Sequence, residues 1–443
     1  MKKLNRRQFL KNSSLISLAG LGGMQVGIGQ GLLKGGSAST TKDLLIFIFL
    51  DGGMDGLNMV PPISGSNYTE YSTVLRPSLH IPNSMALSLN GVSGFGFHPS
   101  ATGFQNLYNQ GKMAVIQATG LTSANRSHFE SVALIEQGKE NNNLNYGTGW
   151  LTRYFNSSLS TSVSALIPSY VPTYNTTDAV LGDPTALVMG SPTEFGLTYG
   201  HWAWEVAMTD TIANIYANPS TLETVVAHQT LNAAEIVNNI SWDTYIPDDN
   251  VVYPSTRLAD QLKTVAQLYK SNVDLEVAYV PTGGWDTHIG QGTGTTGLFA
   301  DLVKELSDAI KAFYDDMSAN YAGKFTIVVQ SEFGRRSYQN DSNGTDHGYG
   351  NPMFVLGDNV NSGFYGTFQG LQPAQLFEQQ DVAVTTDYRH VVAEILMKRM
   401  HNRFLGYIFP LYSNYTPLGI VNGIDSDPVY EFNYDAIFSN GFD

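Results

Sequence analysis

Cysteine is absent from all 443 residues, which excludes disulfides, thiolate metal ligands and a cysteine nucleophile. Cationic charge is scarce: 24 Lys and Arg face 39 Asp and Glu, for a formal net charge of −15. A chain of that sign should not bind nucleic acid or anionic lipid through bulk electrostatics, although it can attract cations. Nowhere is there an unbroken apolar run of the ~20 residues needed to span a bilayer. The nearest candidate, Leu15 to about Gly31, is short and interrupted by glycines. No internal repeat is evident.

That weakly apolar segment reads instead as part of an address. Lys2, Lys3, Arg6, Arg7 and Lys11 precede it, and Asn5-Arg6-Arg7-Gln8-Phe9-Leu10-Lys11 resembles a twin-arginine export signal. Gly36-Ser37-Ala38 supplies small residues that suit signal peptidase. Residues 1–38 are therefore expected to be removed, with six positive charges and no negative ones, taking the formal charge from −15 to −21. The mature chain, from residue 39 on, is expected to be periplasmic or extracellular with no integral membrane segment. Because the twin-arginine route carries folded proteins, it suits one that must acquire a metal before export.

Asp43–Leu50 (DLLIFIFL) is a continuous apolar run, the pattern of a strand buried on both faces of a parallel sheet. Met113–Ala118, Thr185–Met189, Leu275–Val280, Phe325–Val329 and Met353–Leu356 read as further strands. Helices are predicted from about Ser127, at Leu222–Ile240, Thr256–Lys270 and Gly297 to about Tyr321, and at Arg389–Met400 with Thr386 or Asp387 as N-cap. Alternation of strand and helix predicts a mostly parallel α/β sheet with helices on both faces. The segment 157–250 is expected to form an inserted cap, and 410–443 a surface tail.

What the chain does have is acid and imidazole at strand ends. Phe325–Val329 leads into Ser331-Glu332-Phe333-Gly334-Arg335-Arg336, and Gly344-Thr345-Asp346-His347-Gly348 follows within one loop. Leu275–Val280 leads into Gly283-Gly284-Trp285-Asp286-Thr287-His288. The first strand ends in Asp51-Gly52-Gly53-Met54-Asp55. Open α/β sheets place ligands at the carboxyl ends of their strands, and these residue types bind hard or borderline divalent metals. Asp51, Asp55, Asp286, His288, Glu332, Asp346 and His347 are thus candidate ligands for one divalent metal site, whether zinc, calcium, magnesium or manganese. Each has a plainer alternative: Asp51 or Asp55 satisfying turn amides, Asp286 capping a turn, Glu332 pairing with Arg335 or Arg336. After the second strand comes Thr122-Ser123-Ala124-Asn125-Arg126-Ser127-His128. Ser127 beside His128 could be a nucleophile or simply an N-cap, and Arg126 could hold a phosphate or sulfate oxygen in fork geometry.

These motifs, together with Gly147-Thr148-Gly149-Trp150-Leu151 and Asp387-Tyr388-Arg389, occur in an order that resembles an exported bacterial family, the domain of unknown function fifteen-oh-one. That family is similar, at a distance, to the alkaline phosphatase and sulfatase superfamily. The resemblance implies metals at the strand ends and hydrolysis of phosphate or sulfate esters, with a small molecule or glycan ester as substrate. It also places Thr122 where sulfatase-like chains carry a nucleophile, in competition with Ser127. Phe333 stands where a histidine is expected, which weakens a two-metal arrangement. The alternative function is a catalytically inactive exported binding or surface-assembly protein on the same fold.

Overall fold

The computed structural model describes residues 43–142, 147–158, 167–195, 205–217 and 222–431. The expected export signal and the end of the expected tail lie outside these residues. Strand β1 (Leu44–Leu50) is buried along its whole length. Its side chains alternate between two cores, as strand geometry requires. Leu44, Ile46, Ile48 and Leu50 share one core with Val303, Leu306, Ile310 and Phe313 of the helix Leu298–Tyr321. Leu45, Phe47 and Phe49 share the other with Val391, Val392 and Ile395 of the helix Tyr388–Lys398. An apolar run without alternation is the sequence trace of this two-sided burial.

Strands β2 (Leu87–Leu89) and β3 (Val92–Phe97) form a separate antiparallel hairpin. The central sheet has nine strands, in the order β10 (Gly363–Tyr365), β4 (Met113–Gly120), β9 (Asn351–Leu356), β8 (Phe325–Ser331), β1, β7 (Val277–Thr282), β5 (Ser169–Val171) and β6 (Ala186–Val188), with β11 (Thr386–Asp387) also pairing with β4. Within this sheet, among the described residues, only the pairings of β9 are antiparallel, so its other strands point the same way. The carboxyl ends of β1, β4, β7 and β8 therefore share one edge, and the chain enters β9 from that edge too.

The predicted mostly parallel sheet with helices on both faces is what the structure has. Helix ends follow the expected chemistry. Thr256 caps the helix Arg257–Lys270 by accepting from Ala259 N, and Asp387 caps Tyr388–Lys398 by accepting from Arg389 N. The direction of β9 was not visible in its apolar run. The connection from β8 carries no helix, and a parallel crossover ordinarily needs one. Within the segment expected to be a cap, β5 and β6 are strands of the sheet itself, beside β7. The helices Glu205–Ile215 and Leu222–Asn239 also lie in this segment. The tail is tied down where Leu418 N and Gly419 N donate to the buried Glu394 carboxylate, at 2.6 and 3.0 Å. Among the described residues no helix is long and apolar enough to cross a membrane.

Candidate metal centre

The loops after β1 and β7 meet backbone to backbone. Gly52 has φ +121°, and a Cβ placed on it would lie 2.4 Å from Asp286 N, so both conformation and space demand glycine. Arg335, whose side chain is fully buried, fastens the loops together. It donates to Gly53 O at 2.5 Å, Thr345 O at 2.9 Å, Trp285 O at 3.1 Å and Asp286 Oδ1 at 2.6 Å, and also to Gly52 O.

Three imidazoles converge on that same Asp286 oxygen. His128 Nε2 lies 3.3 Å from Oδ1, His288 Nε2 3.2 Å and His347 Nε2 3.4 Å. The donor atoms of His128, Asp286 and His347 all fall within 4.8 Å of one another, as a shared metal requires. Tetrahedral donors bonded at about 2.0–2.1 Å to a metal sit roughly 3.4 Å apart, close to the spacing found here.

The outer nitrogen of each ring meets an acceptor. His128 Nδ1 lies 2.6 Å from Glu332 Oε1, His288 Nδ1 2.9 Å from Asp346 Oδ1 and His347 Nδ1 2.7 Å from Arg126 O. Carboxylates and carbonyls only accept, so Nδ1 carries a proton, and in the neutral ring each Nε2 turns a lone pair inward. His288 Nε2 and His347 Nε2 are 2.7 Å apart, a contact between two such lone pairs that needs a proton or a cation between them. His128 Nε2 is buried and has no hydrogen-bond partner. The chemistry of the donor set therefore fits a metal ion. Side-chain exposures of 22% for His128, 24% for His347 and 48% for Asp286 leave the cluster open on one side.

The electrostatics agree with the geometry. The Glu332 hydrogen bond raises the His128 pKa against the effect of burial. Burial lowers that of His347. Burial works against ionisation of Asp286, yet Arg335 and the neighbouring imidazoles hold its carboxyl below the usual range. Asp51, at the end of β1, is pushed up by burial and by the carboxylates of Glu332 and Asp286.

The remaining candidates are placed as follows. Glu332 supports His128 and accepts from Gly52 N at 2.9 Å, and Asp346 supports His288, so both stand behind imidazoles. Asp55 is buried away from the cluster, paired with Arg76 at 2.5 Å and receiving Gln291 Nε2 at 2.6 Å. Its carboxylate serves the β1 turn. Phe333 packs its ring 4.8 Å from that of His128 and 5.0 Å from that of His347, filling the place of the expected histidine. Thr122 donates to Glu140. Ser127 occupies the N-cap position of the helix His128–Glu136, but its side chain makes no capping bond. Arg126 is engaged by Asp381 and Glu378. The sequence had suggested His128 as a companion of Ser127; the structure sets it beside Asp286 and His347, in a group that could hold a metal ion. Its position after a fourth strand end was the available signal.

Residues 259–402 match the sequence profile of the family described as "Protein of unknown function (DUF1501)". This is the family the motifs resemble. The match takes in Gly283–His288, Ser331–Arg335, Gly344–Gly348 and Asp387–Arg389, so the DUF1501 segment supplies Asp286, His288 and His347, while His128 comes from outside it. Among solved structures, the chain is similar to "Ps i-CgsB" with a TM-score of 0.36 and 8% identity, covering 80% of this chain and 71% of that one. It is also similar to alkaline phosphatase from the Antarctic bacterium TAB5, with a TM-score of 0.26, 10% identity, and 73% and 95% covered. Comparison with curated proteins found no match.

Proposed function

We propose that the protein is an exported metal-dependent hydrolase of phosphate or sulfate esters. The observation that carries the metal is the convergence of three imidazole Nε2 atoms on one Asp286 oxygen, each ring held by an acceptor behind it. His128, Asp286 and His347 would hold the ion, with His288 as the further donor. A nitrogen-rich set of this kind suits zinc better than calcium or magnesium, which prefer oxygen. A bound divalent cation would polarise an ester oxygen. The ester class itself rests on the family resemblance.

Glu332, Asp346 and Arg126 orient the three rings, and Arg335 holds Asp286 in place. Ser127 is the better nucleophile candidate: it adjoins His128, is exposed, and spends no hydrogen bond on capping. The Thr122 hydroxyl is committed to Glu140. Purified protein should contain stoichiometric metal and cleave an aryl phosphate or aryl sulfate, and Ser127→Ala should keep the metal and lose turnover. Protein that purifies without metal, and takes none up, would sink this proposal.

One observation favours the second function, an exported binding or surface-assembly protein. Arg126, expected to hold the anionic group, spends its guanidinium on two carboxylates. Stoichiometric metal with no turnover of either ester class would favour that alternative.

A further inference from the structure

We infer that Arg126 is a positioning residue: anchored through its side chain on Asp381, it presents its own carbonyl to His347 and so fixes which ring nitrogen faces the metal. The functional consequence rests on the hydrolase proposal; the structural argument does not. Arg126 Nε lies 2.9 Å from Asp381 Oδ2, and its Nη2 reaches the same oxygen and, at 2.7 Å, Glu378 Oε2. Glu378 is 56% exposed and would contribute little alone. Asp381 is different, because its side chain is fully buried. Its backbone is pinned too: Asp381 N donates to Phe377 O at 3.0 Å, and Phe377 N donates to Asp381 O at 2.8 Å. The Arg126 guanidinium also lies 6.0 Å over the Phe377 ring.

This rigid anchor sets the position of the Arg126 carbonyl, which accepts from His347 Nδ1 at 2.7 Å. A carbonyl cannot donate, so the ring proton is held at Nδ1 and the Nε2 lone pair points at Asp286 and His288. His128 and His288 are oriented by carboxylates, which bring their own charge to the task. His347 alone depends on a neutral carbonyl in a loop. With the anchor lost, the carbonyl can drift and the ring is free to carry its proton on either nitrogen.

The test reads the tautomer directly, in metal-free protein labelled with 15N-histidine. Long-range 1H–15N spectra, with the His347 signals assigned by comparison with His347→Gln, should show an unprotonated Nε2 in the wild type. Arg126→Ala and Asp381→Asn should give a mixture of tautomers. Metal affinity, measured by competition with a chromophoric chelator, should fall about 10–100-fold in both. Arg126→Lys, which keeps a single bond to Asp381, should recover much of that loss. Should Arg126→Ala fold poorly, Asp381→Asn preserves shape and serves alone. An unchanged His347 tautomer and unchanged affinity in a folded variant would overturn the inference. A wild type that binds no metal, yet shows the expected tautomers, would sink the hydrolase proposal and leave this one standing.

Discussion

Asp286→Asn is the most direct test of the metal centre. The amide keeps an oxygen for Arg335 Nη2, 2.6 Å away, but removes the negative charge on which three imidazoles converge at 3.2–3.4 Å. A metal held at a hundredfold above its dissociation constant stabilises the native state by about 2.7 kcal/mol. At about 2.1 cal/mol/K per residue, the roughly 360 described residues unfold with an entropy of about 0.8 kcal/mol/K. The wild type should therefore melt ~3 °C higher with zinc than with chelator. If the amide weakens binding about a hundredfold, the same zinc concentration leaves about 0.4 kcal/mol, or a shift of ~0.5 °C. Scanning fluorimetry at matched free zinc reads both values, and the metal-free proteins should melt close together. Equal zinc shifts in the two proteins would refute the assignment of Asp286 as a ligand.

Glu136, buried and pushed up to about 7 chiefly by loss of hydration, should make the fold less stable as pH rises. Both states are protonated below about pH 4.5; between there and 7 the unfolded chain ionises first, so roughly 3 kcal/mol is lost across that window, and Glu136→Gln should flatten the denaturation-midpoint profile there. Arg76→Leu strands the fully buried Asp55 carboxylate and should lower stability by about 3–5 kcal/mol in urea titration. Gly52→Ala forces a Cβ against Asp286 N, so metal content after dialysis should drop while the far-ultraviolet spectrum stays native.

The sheet was legible because its central strands are buried on both faces: β1 is an unbroken apolar run, β4, β7 and β8 are predominantly apolar, and their carboxyl ends carry the motifs. Asp286, His288 and His347 could be picked out because acids and histidines at such ends are chemically conspicuous. What the sequence concealed were relations across space. Nothing local distinguishes Glu332, which supports an imidazole, from a carboxylate that binds metal. Asp55 looks like Asp51 until Arg76 is seen to occupy it. Arg126 looks like an anion clamp until Asp381, 255 positions away, claims its guanidinium. Short strands such as β5 and β10 carry too few residues for any periodicity to register.

The central position of β1 has a consequence for biosynthesis. It leaves the ribosome before both of its neighbours: Ser331 at the end of β8 lies 281 residues downstream of Leu50. At about 5–20 residues per second, the nascent chain waits roughly 15–60 s before that neighbour exists. Until its other neighbour, β7, is made (Leu50 pairs with Thr282), the heptapeptide Leu-Leu-Ile-Phe-Ile-Phe-Leu has no native strand partner and is a ready template for aggregation. Few of the sheet's contacts are local, so folding should be slow. Yield in a heterologous host should therefore depend on holdase chaperones more than on the stability of the finished protein.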